Sequence, residues 1–151
     1  MAAQAKEEQA KPADQRSRPI VPFLKLEPKP HLVGKKCGKC GAIYLSESRL
    51  ACAKCFSTGP FSDAALSGQG KVHVFSVVHQ SFPGIKTPYI TSIIDLPEGV
   101  SVRANLIDFP PEQAEKDPRS VFDLPVEMVT EVVGKDREGH DVVRFCYKPR
   151  K

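Results

Sequence analysis

The chain has 151 residues, 40% of them hydrophobic, and a formal net charge of +4, which is room for one ordinary domain or a small module joined to a compact one. No apolar run approaches the 18 residues of a membrane helix, so no membrane partner is expected. Residues 1–70 hold 11 Lys/Arg against 6 Asp/Glu, whereas residues 71–151 hold 11 against 12. The basic excess therefore lies entirely in the first part, and the second is a near-neutral domain with no general affinity for nucleic acid.

Residues 1–18 are mainly Ala, Lys, Glu and Gln without an apolar stretch, and Glu7, Glu8 and Asp14 also count against a transit peptide. The expectation is a flexible tail on a cytoplasmic protein. Residues 19–32 follow as a proline-punctuated arm, helical or extended, whose Ile20, Phe23, Leu24 and Leu26 have no core of their own. Two readings are open: these side chains pack on the neighbouring modules, or they form a docking arm for a partner.

Residues 33–66 contain four of the five cysteines, in two C-x-x-C knuckles, Cys37/Cys40 and Cys52/Cys55, separated by eleven residues. Each knuckle brings two thiolates to one face of a tight turn, and two facing turns build a tetrahedron. In a reducing compartment this spacing predicts metal ligation rather than disulfides. Zn²⁺ suits four sulfur ligands, one ion per chain, with iron in a rubredoxin-like site as the chemical competitor. Four protein ligands leave no position for water, so the site is structural rather than catalytic.

From residue 67 the pattern changes to period-two alternation rich in β-branched residues. It predicts strands over 71–79, 89–96, 100–107, 126–133 and 141–147, joined by turns at Pro83-Gly84, Pro97-Glu98-Gly99 and residues 135–139. The connection from the third to the fourth strand, residues 108–124, is long and carries Pro110, Pro111 and Pro118, with one helical turn expected around 112–115. Five short strands in this order suit a small closed barrel of the OB type, and an SH3-like barrel or an open sheet fits the same periodicity.

Other chemistry is sparse. His31, His73, His79 and His140 are scattered, and the sequence has no Gly-rich phosphate loop, H-E-x-x-H or G-x-S-x-G motif. Cys146 lies among the apolar residues of the last strand and is expected to be buried and inert. Lys35, Lys36 and Lys39, with Lys25, Lys29 and His31, form a basic run into the first knuckle. Its two readings are a solvated face and an anion site, such as one for the phosphates of a nucleotide-like ligand. A nucleic-acid OB-fold interleaves stacking aromatics with cations on its binding strands, whereas the predicted second and third strands offer only Tyr89 and Arg103.

The order of motifs resembles a known family. Pro22-Phe23 precedes Cys37-Gly-Lys-Cys-Gly-Ala-Ile-Tyr44 and Cys52-Ala-Lys-Cys55; then come Ser67-Gly-Gln-Gly70, Val77-Val-His79, Pro88-Tyr89, Asp95-Leu-Pro-Glu-Gly99, Leu124-Pro-Val-Glu-Met-Val129 and Phe145-Cys-Tyr-Lys-Pro149. Over about residues 19–149 the chain is similar to proteins with a rubredoxin-like zinc ribbon followed by an acyl-CoA-associated OB-fold. The resemblance implies a mainly β protein, with the ribbon at 33–66 and the OB-fold at 67–151. It also implies a non-catalytic accessory subunit of a thiolase-type complex acting on acyl-CoA thioesters. Such a subunit forms a hetero-oligomer with a thiolase or thiolase-like catalytic partner and helps shape its CoA-ester site. On this reading Ile20, Phe23, Leu24 and Leu26 are docking residues, Lys35, Lys36 and Lys39 approach the CoA phosphates, and no residue of this chain is catalytic. The rival is a stand-alone OB-fold nucleic-acid binder with a structural zinc. The chain departs from the family pattern around its last two cysteines, with residues 45–49 where a Pro-Pro-Arg run is common, Ala53 where Pro is common and Phe56 where Gly is common.

Overall fold

A computed structural model describes residues 17–46 and 48–151. The barrel is built from β6 (Gln69–Val78), β7 (Tyr89–Asp95), β8 (Ser101–Leu106), β9 (Pro125–Lys135) and β10 (Asp141–Pro149). Antiparallel pairing runs β6–β7–β8, β9 pairs with β10 and β6, and β8 meets β10 in parallel through Leu106 and Tyr147. The order β6-β7-β8-β10-β9-β6 closes the sheet with the OB-fold ordering. The periodicity left this arrangement open among three alternatives. What selects it is the closing parallel contact, which joins strands distant in sequence.

Closure requires β6 to bend so that it pairs with both β7 and β9. The register slips between Val72 and Val74, and a bulge of this kind coils a strand sharply. At Gly70 a Cβ would stand 2.6 Å from the Asp95 carbonyl oxygen, so the crossing is close enough to require glycine. The long connection holds α1 (Pro111–Lys116), with a proline in its first turn and Ala114 buried, in agreement with the expected helical turn.

The inward positions of these strands, among them Val72, Ile90, Ile94, Val102, Leu106, Val126 and Tyr147, form the core. Leu24, Leu32 and Leu66 belong to the same cluster although they precede the barrel in sequence. They are brought there by β2 (Leu24–Lys25), β3 (His31–Cys37) and β5 (Phe61–Ala65), with β3 pairing antiparallel to both others. The ribbon is thus rooted in the barrel core.

Two expectations about the N-terminal part are corrected here. Most of the tail reading falls on residues 1–16, outside the described residues, but its last two residues begin β1 (Ser17–Pro19), which pairs in parallel with residues 141–143 of β10. Arg18 holds this strand by ion pairs to Asp136, at 3.3 Å, and Glu138, at 2.5 Å, in the β9–β10 turn. Second, Leu24 is fully buried and is no docking residue. Two backbone pairs to β3 and the burial of its isobutyl group in the barrel core account for this. Phe23 lies edge-on to Phe145 at 6.1 Å, and Leu26 is also packed on the core, so of the four arm residues Ile20 alone is largely exposed, at 53%.

Candidate metal centre

The metal site follows from the way the chain leaves β3. Cys37 is the last residue of that strand, and a tight turn closes when Gly41 N–H donates to the Cys37 carbonyl at 2.9 Å, with Gly41 at φ +75°. The short β4 (Ile43–Tyr44) then returns along Lys35 and Lys36. The second knuckle repeats the device: Phe56 N–H donates to the Cys52 carbonyl at 2.9 Å, and Cys52 N–H donates to the Ser57 carbonyl at 2.8 Å. Gly38 N–H donates to the Pro60 carbonyl at 2.9 Å, which ties the first knuckle to the chain leaving the second.

All four sulfurs lie within 4.8 Å of one another. Cys37 Sγ is 3.7 Å from Cys55 Sγ and Cys40 Sγ is 3.5 Å from Cys52 Sγ. A tetrahedron with metal–sulfur bonds of about 2.3 Å has edges of about 3.8 Å, so these donors fit a tetrahedral thiolate-bound ion. Cys37 and Cys52 are buried. Tyr44 reaches Cys52 with its hydroxyl 3.3 Å from Sγ, and that hydrogen bond holds the Cys52 thiol down at about 5. Backbone N–H groups of Cys40 and Lys39 lower Cys37 in the same sense. The Arg49 guanidinium stacks over the Tyr44 ring, 3.6 Å from its centroid. The four cysteines expected to act as ligands converge here, whereas the supporting pair Tyr44 and Arg49 was not expected; the signal available was an aromatic four residues beyond Cys40.

The lysine run does not form one patch. Lys35 and Lys36 are consecutive on β3 and point to opposite faces. Lys35 faces Asp63 on β5 and forms an ion pair with it, while Lys36 and Lys39 are exposed. Of the three lysines read as a phosphate contact, Lys35 is therefore already committed.

The histidines are dispersed over the surface. His73 Nδ1 lies 2.8 Å from Asp95, His79 Nε2 lies 2.6 Å from Glu115, and His140 Nδ1 lies 3.2 Å from Asp136. His31 Nδ1 is 2.8 Å from the Lys29 carbonyl. Cys146 is fully buried, and burial pushes its thiol up to about 11. A nucleophile needs access and a depressed pKa, and this thiol has neither. On the outer barrel face the cross-strand rows are Val74–Ile93–Arg103 and Ser76–Thr91–Asn105, which lack the succession of aromatics on which bases stack.

Fold and site together define a metal-ribbon protein with an OB-fold barrel. Two family models match: "ChsH2, rubredoxin-like zinc ribbon domain" over residues 25–60 and "ChsH2, C-terminal OB-fold domain" over residues 63–136. The chain belongs to this family of zinc-ribbon and OB-fold proteins. It is 34% identical over 120 residues to a "DUF35 domain-containing scaffold protein" of Methanocaldococcus jannaschii, covering 78% of this chain and 79% of the relative. It is 31% identical over 120 residues to "Benzoylsuccinyl-CoA thiolase subunit BbsA" of Thauera aromatica, covering 79% and 76%. A solved structure described as "Ltp2-ChsH2(DUF35) aldolase" shares the fold with TM-score 0.60 at 23% identity, over 79% of this chain and 84% of that one. No helix among the described residues is long and apolar enough to cross a membrane.

Proposed function

We propose that this chain is a non-catalytic accessory subunit of a thiolase-type complex acting on acyl-CoA thioesters, in ketoacyl-CoA cleavage or acyl transfer. The observation that carries the reading is the pairing of a closed four-thiolate site with relatives named as a scaffold protein and a thiolase subunit. The dispersal of the histidines and the burial of Cys146 support it: the reacting groups belong to the partner. Cys37, Cys40, Cys52 and Cys55 hold one Zn²⁺ per chain, which clamps the two knuckles and supplies no reaction chemistry. The subunit docks on a thiolase or thiolase-like protein in the cytoplasm through its ribbon and the exposed Ile20. It helps shape the CoA-ester site, with Lys36 and Lys39 free of the Asp63 contact that occupies Lys35 and so the better phosphate contacts.

The test is a native purification of the tagged full chain from its own host, with mass spectrometry of the proteins and elemental analysis. A thiolase-type polypeptide in stoichiometric amount, with about one zinc per chain, is the expected result. Recovery of zinc with nucleic acid, in a salt-sensitive complex, would replace this reading with the nucleic-acid one. Reversing Lys36 and Lys39 to Glu is expected to weaken the complex's apparent CoA-ester affinity, and unchanged affinity would remove them as phosphate contacts.

A further inference from the structure

The second knuckle is flanked by two apolar side chains that the described residues leave almost uncovered. Leu50 is 91% exposed and Phe56 is 82% exposed, one just before and one just after the Cys52–Cys55 turn. Phe56 also sits at φ +57°, in the left-handed region where a side chain is strained and glycine is not. The knuckle imposes that angle, because Phe56 N–H must turn back to the Cys52 carbonyl while Cys52 N–H takes the Ser57 carbonyl. Folding alone would favour glycine here. The phenyl ring therefore adds strain and an exposed apolar surface, and returns almost no burial among the described residues.

The surroundings indicate what such a ring is for. Residues 33–60 contain five Lys/Arg and one Glu, and Lys36, Lys39 and Lys54 are exposed. Exposed apolar side chains on a ribbon of net positive charge are complementary to an apolar socket rimmed by carboxylates, the arrangement of a protein–protein anchor. A nucleic-acid strand would meet the charge, but it needs successive stacking rings, and the knuckle has a single exposed one.

We propose that Phe56 and Leu50 are the anchor by which the metal ribbon docks on the catalytic subunit, inserting into an apolar socket whose acidic rim pairs with Lys54. This rests on the accessory-subunit reading above. It also gives the metal a purpose at a distance from any chemistry, since ligation of Cys52 and Cys55 is what holds the two side chains in place.

The test uses the full chain, tagged and produced in its host, as wild type, Phe56→Gly, Leu50→Ser and Lys54→Glu. Each is checked for metal content, and the thiolase-type polypeptide captured by the wild type is titrated against all four. Phe56→Gly is expected to keep or improve metal retention, because it relieves the positive φ, and to weaken capture at least about 10-fold. Leu50→Ser and Lys54→Glu weaken it in the same direction with metal content unchanged. Capture by the wild type with equal affinity for Phe56→Gly and Leu50→Ser would overturn the anchor and leave the accessory role standing. Failure of the wild type to capture any thiolase-type polypeptide would overturn both. Binding of a single-stranded oligothymidine that is lost in Phe56→Gly would overturn the protein socket in favour of a nucleic-acid contact.

Discussion

Removing the metal is expected to unfold the ribbon and leave the barrel intact. Between Cys37 and Leu66, Cys52 is the one side chain among the described residues that is buried, so residues 38–60 have almost no hydrophobic stabilisation of their own. Ligation in such modules is worth about 10–16 kcal/mol at neutral pH, far more than the backbone pairs to β4 and β5 can replace at about 1 kcal/mol each. The root of the ribbon behaves differently, because Leu32 and Leu66 lie in the barrel cluster. After treatment with a strong chelator, trypsin is expected to cut at Lys39, Arg49 and Lys54 at least about 100-fold faster, as the open population rises by several kcal/mol. Amide exchange over β7 and β8 should not change. Unchanged cleavage at those three positions, after elemental analysis has verified loss of the ion, would refute the reasoning. Loss of protection throughout the barrel would refute the independence of the two parts.

Further outcomes follow from individual side chains. Leu24→Ala is expected to cost about 2–5 kcal/mol in urea unfolding, the range for a fully buried leucine, whereas Ile20→Ala costs less than about 1 kcal/mol; equal effects would contradict the integration of β2 into the core. Tyr44→Phe removes the hydroxyl from Cys52 and is expected to lower metal affinity about 10-fold, measured by competition with a chromogenic chelator. Cys146, buried and with its thiol near 11, should resist a disulfide reagent at pH 8 in the native metal-bound protein and react on denaturation. Native labelling at the rate of an exposed thiol would show that the last strand opens.

Much of this molecule could be read from its residues, for reasons particular to each part. The four-cysteine cluster is local: two C-x-x-C turns need only their own few residues to converge in pairs, in the arrangement that suits a tetrahedral ion. The five barrel strands carry their own alternation, so predicted and observed spans differ by at most two residues at each end. The helical turn at α1 was legible from prolines and polar residues in a long connection.

What the residues could not determine alone depends on contacts between distant parts of the chain. A proline-rich stretch with four apolar side chains reads equally well as a docking arm or as a strand packed inward, and only the presence of a barrel with room for Leu24 decides between them. The lysine run looks like one basic patch until strand alternation separates Lys35 from Lys36 and β5 brings Asp63 to the first of them. The choice of the OB-type barrel rests on one parallel contact, Leu106 with Tyr147, between strands 41 residues apart. Local sequence sets the turns, the ligands and the alternation; which face is buried, which charge is neutralised and how the sheet closes are set by long-range packing, because each depends on a surface that another segment supplies.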